Sequence, residues 1–164
     1  MRSKYYGYVL RNQGTTKQQW VLSEIPVHPV TVLGTTSVAE ISSGGVVGIS
    51  YSLVNECSAG IGSTGTFSLP EGLYKISYSL IAETTEAAEV IITLGYGGTV
   101  VNTTEAMTST GGTGDTISAA LDGEVVIKST GCGSSFSLQN ASAVSITPVL
   151  AGTDTVRVII EKLV

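Results

Sequence analysis

From about residue 36 the chain runs in short stretches of alternating apolar and polar positions, each closed by glycine, threonine or serine. The stretches recur about every eight to twelve residues, the spacing of an all-β sandwich. They predict strands over 37–41, 46–54, 64–69, 73–82, 88–96, 99–103, 115–121, 124–129, 135–139, 143–150 and 154–163. Gly97-Gly98 parts Val90–Tyr96 from Thr99–Asn102 as a two-residue hairpin turn with positive φ requires. Asp122-Gly123 reads as a second such turn, between Ile117–Leu121 and Glu124–Lys128. Helix has little support: Ala82–Glu89 lacks an apolar stripe at helical spacing and reads as a polar loop.

Side-chain alternation assigns faces on the clearest strands. Tyr74, Ile76, Tyr78 and Leu80 share one side, and Leu73, Lys75, Ser77, Ser79 and Ile81 the other. In the last strand Val156, Val158 and Ile160 oppose Arg157, Ile159, Glu161 and Leu163. The second face of each mixes apolar groups with charges or hydroxyls, as a sheet packed against a neighbouring subunit would.

The segment 1–33 differs from the rest. It holds Tyr5, Tyr6, Tyr8 and Trp20, and Pro26 and Pro29 bracket the single histidine, His28. Residues preceding proline are held extended. The segment is therefore expected to be an extended arm or a pair of strands leading into the body, with 34–164 as the folded domain. Over positions 1–29, Arg2, Lys4, Arg11 and Lys17 face only Glu24, a net +3, whereas the remainder carries −8. Aromatics with arginine are usual interface anchors, so Tyr5, Tyr6, Tyr8, Arg11 and Trp20 are the candidate attachment residues.

Composition narrows the class. A chain of 164 residues is one domain by default and buries roughly 70% of its surface, enough to fold without a metal or disulfide. Only 13% of residues are charged, about half the usual share. That depletion suits surfaces that meet other protein surfaces. The acidic body argues against nucleic acid, which it would repel. No apolar run is long enough for a membrane-spanning helix. Tyr5–Arg11 breaks off before a secretory leader's apolar stretch forms, so synthesis in a reducing cytoplasm is expected, with Cys57 and Cys132 as free thiols. Their pairing stays open.

Reactive chemistry is thin. His28 has no cysteine or carboxylate beside it for a metal site or catalytic triad, and no G-x-S-x-G elbow is present. Glu83, Glu86 and Glu89 lack the spacing of a calcium loop and read as a solvated charge run, although a trimer could recruit Ca²⁺ there. Asp115 and Asp122 serve turns, and Gly111–Gly114 lacks the lysine of a phosphate cradle. Asn102 and Asn140 match the glycosylation pattern, which matters only in a secretory pathway. No catalytic residue and no cofactor are expected.

Phe67, Pro70, Gly72, Tyr74 and Tyr78 form an F-x-x-P-x-G-x-Y-x-x-x-Y entry into a strand; Leu94–Gly98 and the closing Asp154–Leu163 follow. With these residues the chain from about Val46 to Val164 resembles the tumour-necrosis-factor/complement-globular-head jelly rolls. In style it is similar to their bacterial and phage versions, such as the C-terminal domains of exosporium collagen-like glycoproteins. The resemblance implies a ten-stranded jelly-roll β-sandwich behind the N-terminal arm, and a homotrimer. Strands 73–82 and 154–163 would line the trimer axis, and Tyr74, Tyr78, Leu80, Arg157, Ile159, Glu161 and Leu163 are the expected interface. Unlike the collagen-stalked members, residues 1–45 carry no Gly-X-Y repeat.

The expected function is a non-enzymatic homotrimeric structural or adhesion protein on a phage virion surface, as head fibre, capsid decoration or fibre tip. The arm would contact capsid or another virion protein. Loops near 55–64, 83–89, 104–114 and 130–135 would face outward toward a host glycan or protein. Alternatives are a bacterial cell- or spore-surface trimer binding host ligands, or a carbohydrate-binding jelly roll.

Overall fold

The computed structural model describes residues 5–13, 17–25, 28–85, 88–107, 117–131 and 134–164. Among them every regular element is a strand. Tyr5–Gln13 (β1) and Lys17–Ile25 (β2) pair only with each other, as an antiparallel hairpin. The other strands are Val30–Thr35 (β3), Val46–Val47 (β4), Tyr51–Asn55 (β5), Gly60–Ile61 (β6), Phe67–Ser68 (β7), Gly72–Thr84 (β8) and Glu89–Tyr96 (β9). Thr99–Met107 (β10), Ile117–Ser129 (β11), Phe136–Asn140 (β12), Thr147–Val149 (β13) and Val156–Lys162 (β14) complete the set.

Two six-stranded antiparallel sheets form a sandwich. One runs β10-β9-β12-β7-β6 with β4 on β12, and the other β11-β8-β14-β3-β5 with β13 on β8. The core lies between them. Tyr74, Ile76, Tyr78 and Leu80 of β8 point into it beside Val156, Val158 and Ile160 of β14, all at most 4% exposed. Val90, Ile92 and Leu94 of β9 face them from the other sheet, and Phe136 stacks on Phe67 and Tyr96 at 5.1 and 4.4 Å. Each of these side chains contributes roughly 1.5–3 kcal/mol by leaving water. The corner after β12 is closed by the buried Asn140, whose amide nitrogen donates to the carbonyls of Ile41 and Val144 at 3.0 and 2.9 Å.

Several expectations change. Gly97 and Gly98 have φ of 58° and 84° and turn β9 into β10 as predicted. Asp122-Gly123 does not turn: β11 runs unbroken through it and pairs with β8 from Ile117↔Thr84 to Ser129↔Gly72. Gly123 sits opposite Tyr78, and a Cβ there would lie 2.2 Å from the Tyr78 ring, so this glycine makes room rather than supplying positive φ. The run 46–54 is two strands in different sheets. β4 pairs with β12, and after Gly48–Ser50 β5 pairs with β3. Stretch 37–41 keeps only an isolated bridge, Ile41↔Ile146, and 64–69 only β7.

The boundary between arm and domain also moves. Val30–Thr35 is an interior strand between β14 and β5, so the arm cannot extend to residue 33. Pro29 begins that pairing, its carbonyl accepting from the Lys162 amide at 2.9 Å. The polar loop expected at 82–89 is shorter, because β8 continues to Thr84 and β9 starts at Glu89. Glu86, Cys132 and the glycine-rich stretch 108–116 lie outside the described residues.

Candidate interaction surface

The outer face of the β11-β8-β14-β3-β5 sheet carries the arrangement of most functional interest. Its register sets side chains in cross-strand rows. In one row Ile159 of β14 sits opposite both Ser77 of β8 and Val32 of β3, and Val32 opposite Val54 of β5. Ile159 and Val54 are 43% and 45% exposed, unusual for apolar side chains so close together on an ordered sheet. The next row is Ser79, Arg157, Gly34 and Tyr51. A Cβ on Gly34 would lie 3.0 Å from the Tyr51 hydroxyl, so glycine lets that ring lie flat across the strand.

Two charged pairs bordering the apolar row are matched within the chain. Arg157 donates from Nε and Nη2 to Oδ2 of the buried Asp154 at 3.0 and 2.7 Å, and the Tyr51 hydroxyl donates to Oδ1. The tyrosine hydrogen bond, with the guanidinium second, holds the Asp154 carboxyl below its ordinary range, and the same bond pushes the Tyr51 hydroxyl up. On the other side Lys75 Nζ lies 2.9 Å from Glu124 Oε2, which also accepts from Ser77 at 3.2 Å. That pairing lowers the Glu124 carboxyl and raises the Lys75 ammonium. Clefts of about 310 and 340 Å³ flank Arg157, the second lined by Ser77, Ser79, Gly123, Glu124 and Ile159. Apolar centre, paired charges at its border and shallow relief are the makings of a protein contact.

The expected interface residues separate by face. Arg157 and Ile159 lie on this outer surface, and Glu161 and Leu163 are half-buried beside it. Tyr74, Tyr78 and Leu80 do not belong there. At 0%, 2% and 4% exposure they fill the chain's own core, because the opposite alternation of β8 faces outward. Tyr78 is spent internally, its hydroxyl donating to Asn102 Oδ1 at 2.9 Å and lying 2.8 Å from Thr104 Oγ1. Val32, Val54, Tyr51 and Asp154 were not anticipated; Val-Thr-Val at 30–32 carried the alternation that could have found the first.

Of the attachment residues, Tyr5, Tyr6, Tyr8 and Arg11 lie on β1 and Trp20 on β2, which pair from Tyr5↔Ile25 to Gln13↔Lys17. At the hairpin's base, His28 donates from Nδ1 to the Lys162 carbonyl at 3.1 Å. Among the described residues no three histidine, cysteine or acidic side chains group as metal ligands. Cys57 is buried and free, its thiol donating to the Pro29 carbonyl at 3.2 Å. Tyr96 closes the far end of the sandwich. Bonds from Ser129, then Thr130, hold its hydroxyl pKa down to about 8.

No protein-family model matches the chain, and no curated protein matches it in sequence. Solved structures do match in shape. The structure of Eiger TNF from S. frugiperda is similar with a TM-score of 0.70 and 9% identity, over 84% of this chain and 93% of that one. The globular domain of zebrafish complement 1qA protein is similar with a TM-score of 0.54 and 12% identity, over 81% and 94%. The fold is therefore an all-β jelly roll of the TNF and complement-head type.

Proposed function

We propose that this chain is a non-enzymatic structural or adhesion protein that works as a homotrimer, with the outer face of β14, β3 and β5 as its subunit contact. The observation that carries this reading is the apolar row of Ile159, Val32 and Val54, set between internally matched charges on a sheet whose inner face is already full. The likeness to TNF and complement-head structures supports it at the level of the fold. Within this reading the protein sits on a phage virion surface, and its basic N-terminal segment, residues 1–25, joins it to the particle.

Sedimentation velocity tests the assembly. Wild type is expected as a trimer at micromolar concentration and Ile159→Glu as a folded monomer, because a carboxylate at a 43%-exposed site disturbs the contact and not the core. Val100→Glu, on the opposite sheet at 56% exposure, should stay trimeric. A monomeric wild type would end the trimer reading. The virion reading predicts that chains lacking residues 1–25 still assemble but are missing from purified particles; their retention would refute it.

A further inference from the structure

The two sides of the sandwich are closed differently. Between β10 and β11 the layers are tied together, the Asn102 side-chain amide donating to the Glu124 carbonyl at 2.8 Å. On the other side the chain itself crosses between layers at Gly48–Ser50. There the Ile49 amide donates to the Gly65 carbonyl and the next amide, Ser50, to the Gly34 carbonyl, both at 2.9 Å. A cleft of about 850 Å³ lies over this crossing, with one wall from 35–41 and the other from the 61–65 loop. That volume is in the range of small-molecule sites. Its floor is Val47, Ile49 and Val156, each at most 2% exposed.

The walls present hydroxyls in place of backbone donors. On one wall the Ser37 amide is taken by Thr35 Oγ1 and the Ala39 amide by Ser37 Oγ, both at 3.3 Å. On the other, Gly62 donates to the Thr66 carbonyl at 2.8 Å and Gly65 to the Gly62 carbonyl at 3.1 Å. Thr35 is the deepest hydroxyl, only 4% exposed. It accepts from the Ser37 amide and from Ser50 Oγ, and among the described residues it donates to nothing. A buried donor left in this state is costly until an acceptor reaches it. Glu40 is the cleft's one charge, and among the described residues it has no ion pair or hydrogen bond. Its carboxylate can only accept. No lysine, arginine, histidine or aromatic ring lines the cleft.

We infer that this cleft binds a neutral sugar, as a free saccharide or as part of a glycan chain. A sugar ring brings hydroxyls that both donate and accept, which hydroxyl walls require, and C–H faces to lie on the valine and isoleucine floor. Two neighbouring sugar hydroxyls can donate to Glu40 while a sugar oxygen accepts from Thr35. A phosphate, sulfate or carboxylate ligand would meet Glu40 with no cation to offset it. An extended peptide would need a row of free amides, and the wall amides of Ser37, Ala39, Gly62 and Gly65 are already used. The inference rests on the adhesion half of the proposed function and not on the trimer, since Ile159, Val32 and Val54 do not line the cleft.

Saturation-transfer NMR on the full-length protein tests this, with neutral di- and trisaccharides of glucose, galactose, mannose and N-acetylglucosamine as probes. At least one should bind at millimolar concentration, and calorimetry then gives its Kd. Glu40→Gln, at an exposed site, should weaken that sugar about tenfold, the loss expected for a charge-assisted hydrogen bond. Ser63→Trp, on the exposed loop wall, should fill the cleft and abolish binding with Tm unchanged. Thr35→Val should weaken binding about fivefold. Because Thr35 also holds Ser37 and Ser50, the two exposed sites carry the decision. Ile159→Glu should bind as wild type does. Absence of transfer to every neutral sugar overturns the inference. Binding that survives both Glu40→Gln and Ser63→Trp puts the sugar elsewhere and overturns the site. Tighter binding of phosphorylated or sulfated sugars, or of an extended peptide that Ser63→Trp releases, overturns the ligand class. A monomeric wild type that binds neutral sugar through this cleft removes the trimer reading and upholds the site.

Discussion

Replacing Gly123 by alanine is the sharpest test of how the two longest strands fit together. Gly123 lies mid-strand in β11, opposite Tyr78 of β8, and its φ is outside the left-handed region. An added methyl would stand 2.2 Å from the Tyr78 ring, far inside contact distance. The ring has no easy escape, being 2% exposed with its hydroxyl held by Asn102 and Thr104. Overpacking of this kind costs about 1–3 kcal/mol. Losing one or both tyrosine hydrogen bonds adds about 1 kcal/mol each. Against this, alanine is better than glycine inside a strand by roughly 0.5–1 kcal/mol. The net expectation is a loss of about 2–3 kcal/mol, or roughly 5–10 °C in Tm for a chain of this size.

The control is a double-mutant cycle by urea denaturation, at one fixed chain concentration so that assembly does not shift the midpoint. In a Tyr78→Leu background the obstacle is gone, and Gly123→Ala should be neutral or stabilising by about 0.5–1 kcal/mol. The coupling between the two positions should therefore reach about 2–4 kcal/mol. Were Asp122-Gly123 a tight turn, alanine would be penalised equally with or without the tyrosine, because the strain would be in the backbone. An equal cost in both backgrounds would refute the packing argument.

Two further perturbations probe the tyrosines. Among the described residues the buried Tyr74 hydroxyl has no hydrogen-bond partner, and burial pushes its pKa up, so Tyr74→Phe should leave urea stability unchanged or raise it by up to about 1 kcal/mol; a clear loss would reveal a partner for that oxygen. Tyr96 is held down to about pH 8 against an unfolded value near 10, so the folded chain binds fewer protons between those limits and its stability should rise as pH climbs from about 8 to 10. Tyrosinate absorbance should show one ionisation near pH 8 that Tyr96→Phe removes, and titration of all tyrosines together near 10 would contradict it.

The contrast between the two glycine turns shows where the sequence was legible. Gly97-Gly98 and Asp122-Gly123 are equally good hairpin signals within a short window. They differ only in what stands across the sheet. Gly97-Gly98 meets nothing that needs the space, whereas Gly123 receives the ring of Tyr78, far outside any such window. The run 46–54 failed for a related reason. Alternation states which residues share a face but not which sheet owns the strand, and the chain changes sheets at Gly48–Ser50 without breaking its pattern.

The proposed interface followed the same logic one level up. Period-2 reading separated Tyr74, Tyr78 and Leu80 from Ser77 and Ser79, and Val158 from Ile159, as the burial of these side chains does. It read the mixed face, with Ser77, Ser79 and Ile159, as the one packed against a neighbour, whereas Tyr74, Tyr78 and Leu80 entered the expected interface through the family resemblance. The deciding information is a register spanning three strands: Ile159, Val32 and Val54 come from well-separated segments of the chain, and no one of them is conspicuous alone. An interface assembled this way is recognisable only once β3 is moved from the arm into the sheet. That single reassignment supplies the middle of the apolar row and takes Val30–Thr35 out of the arm.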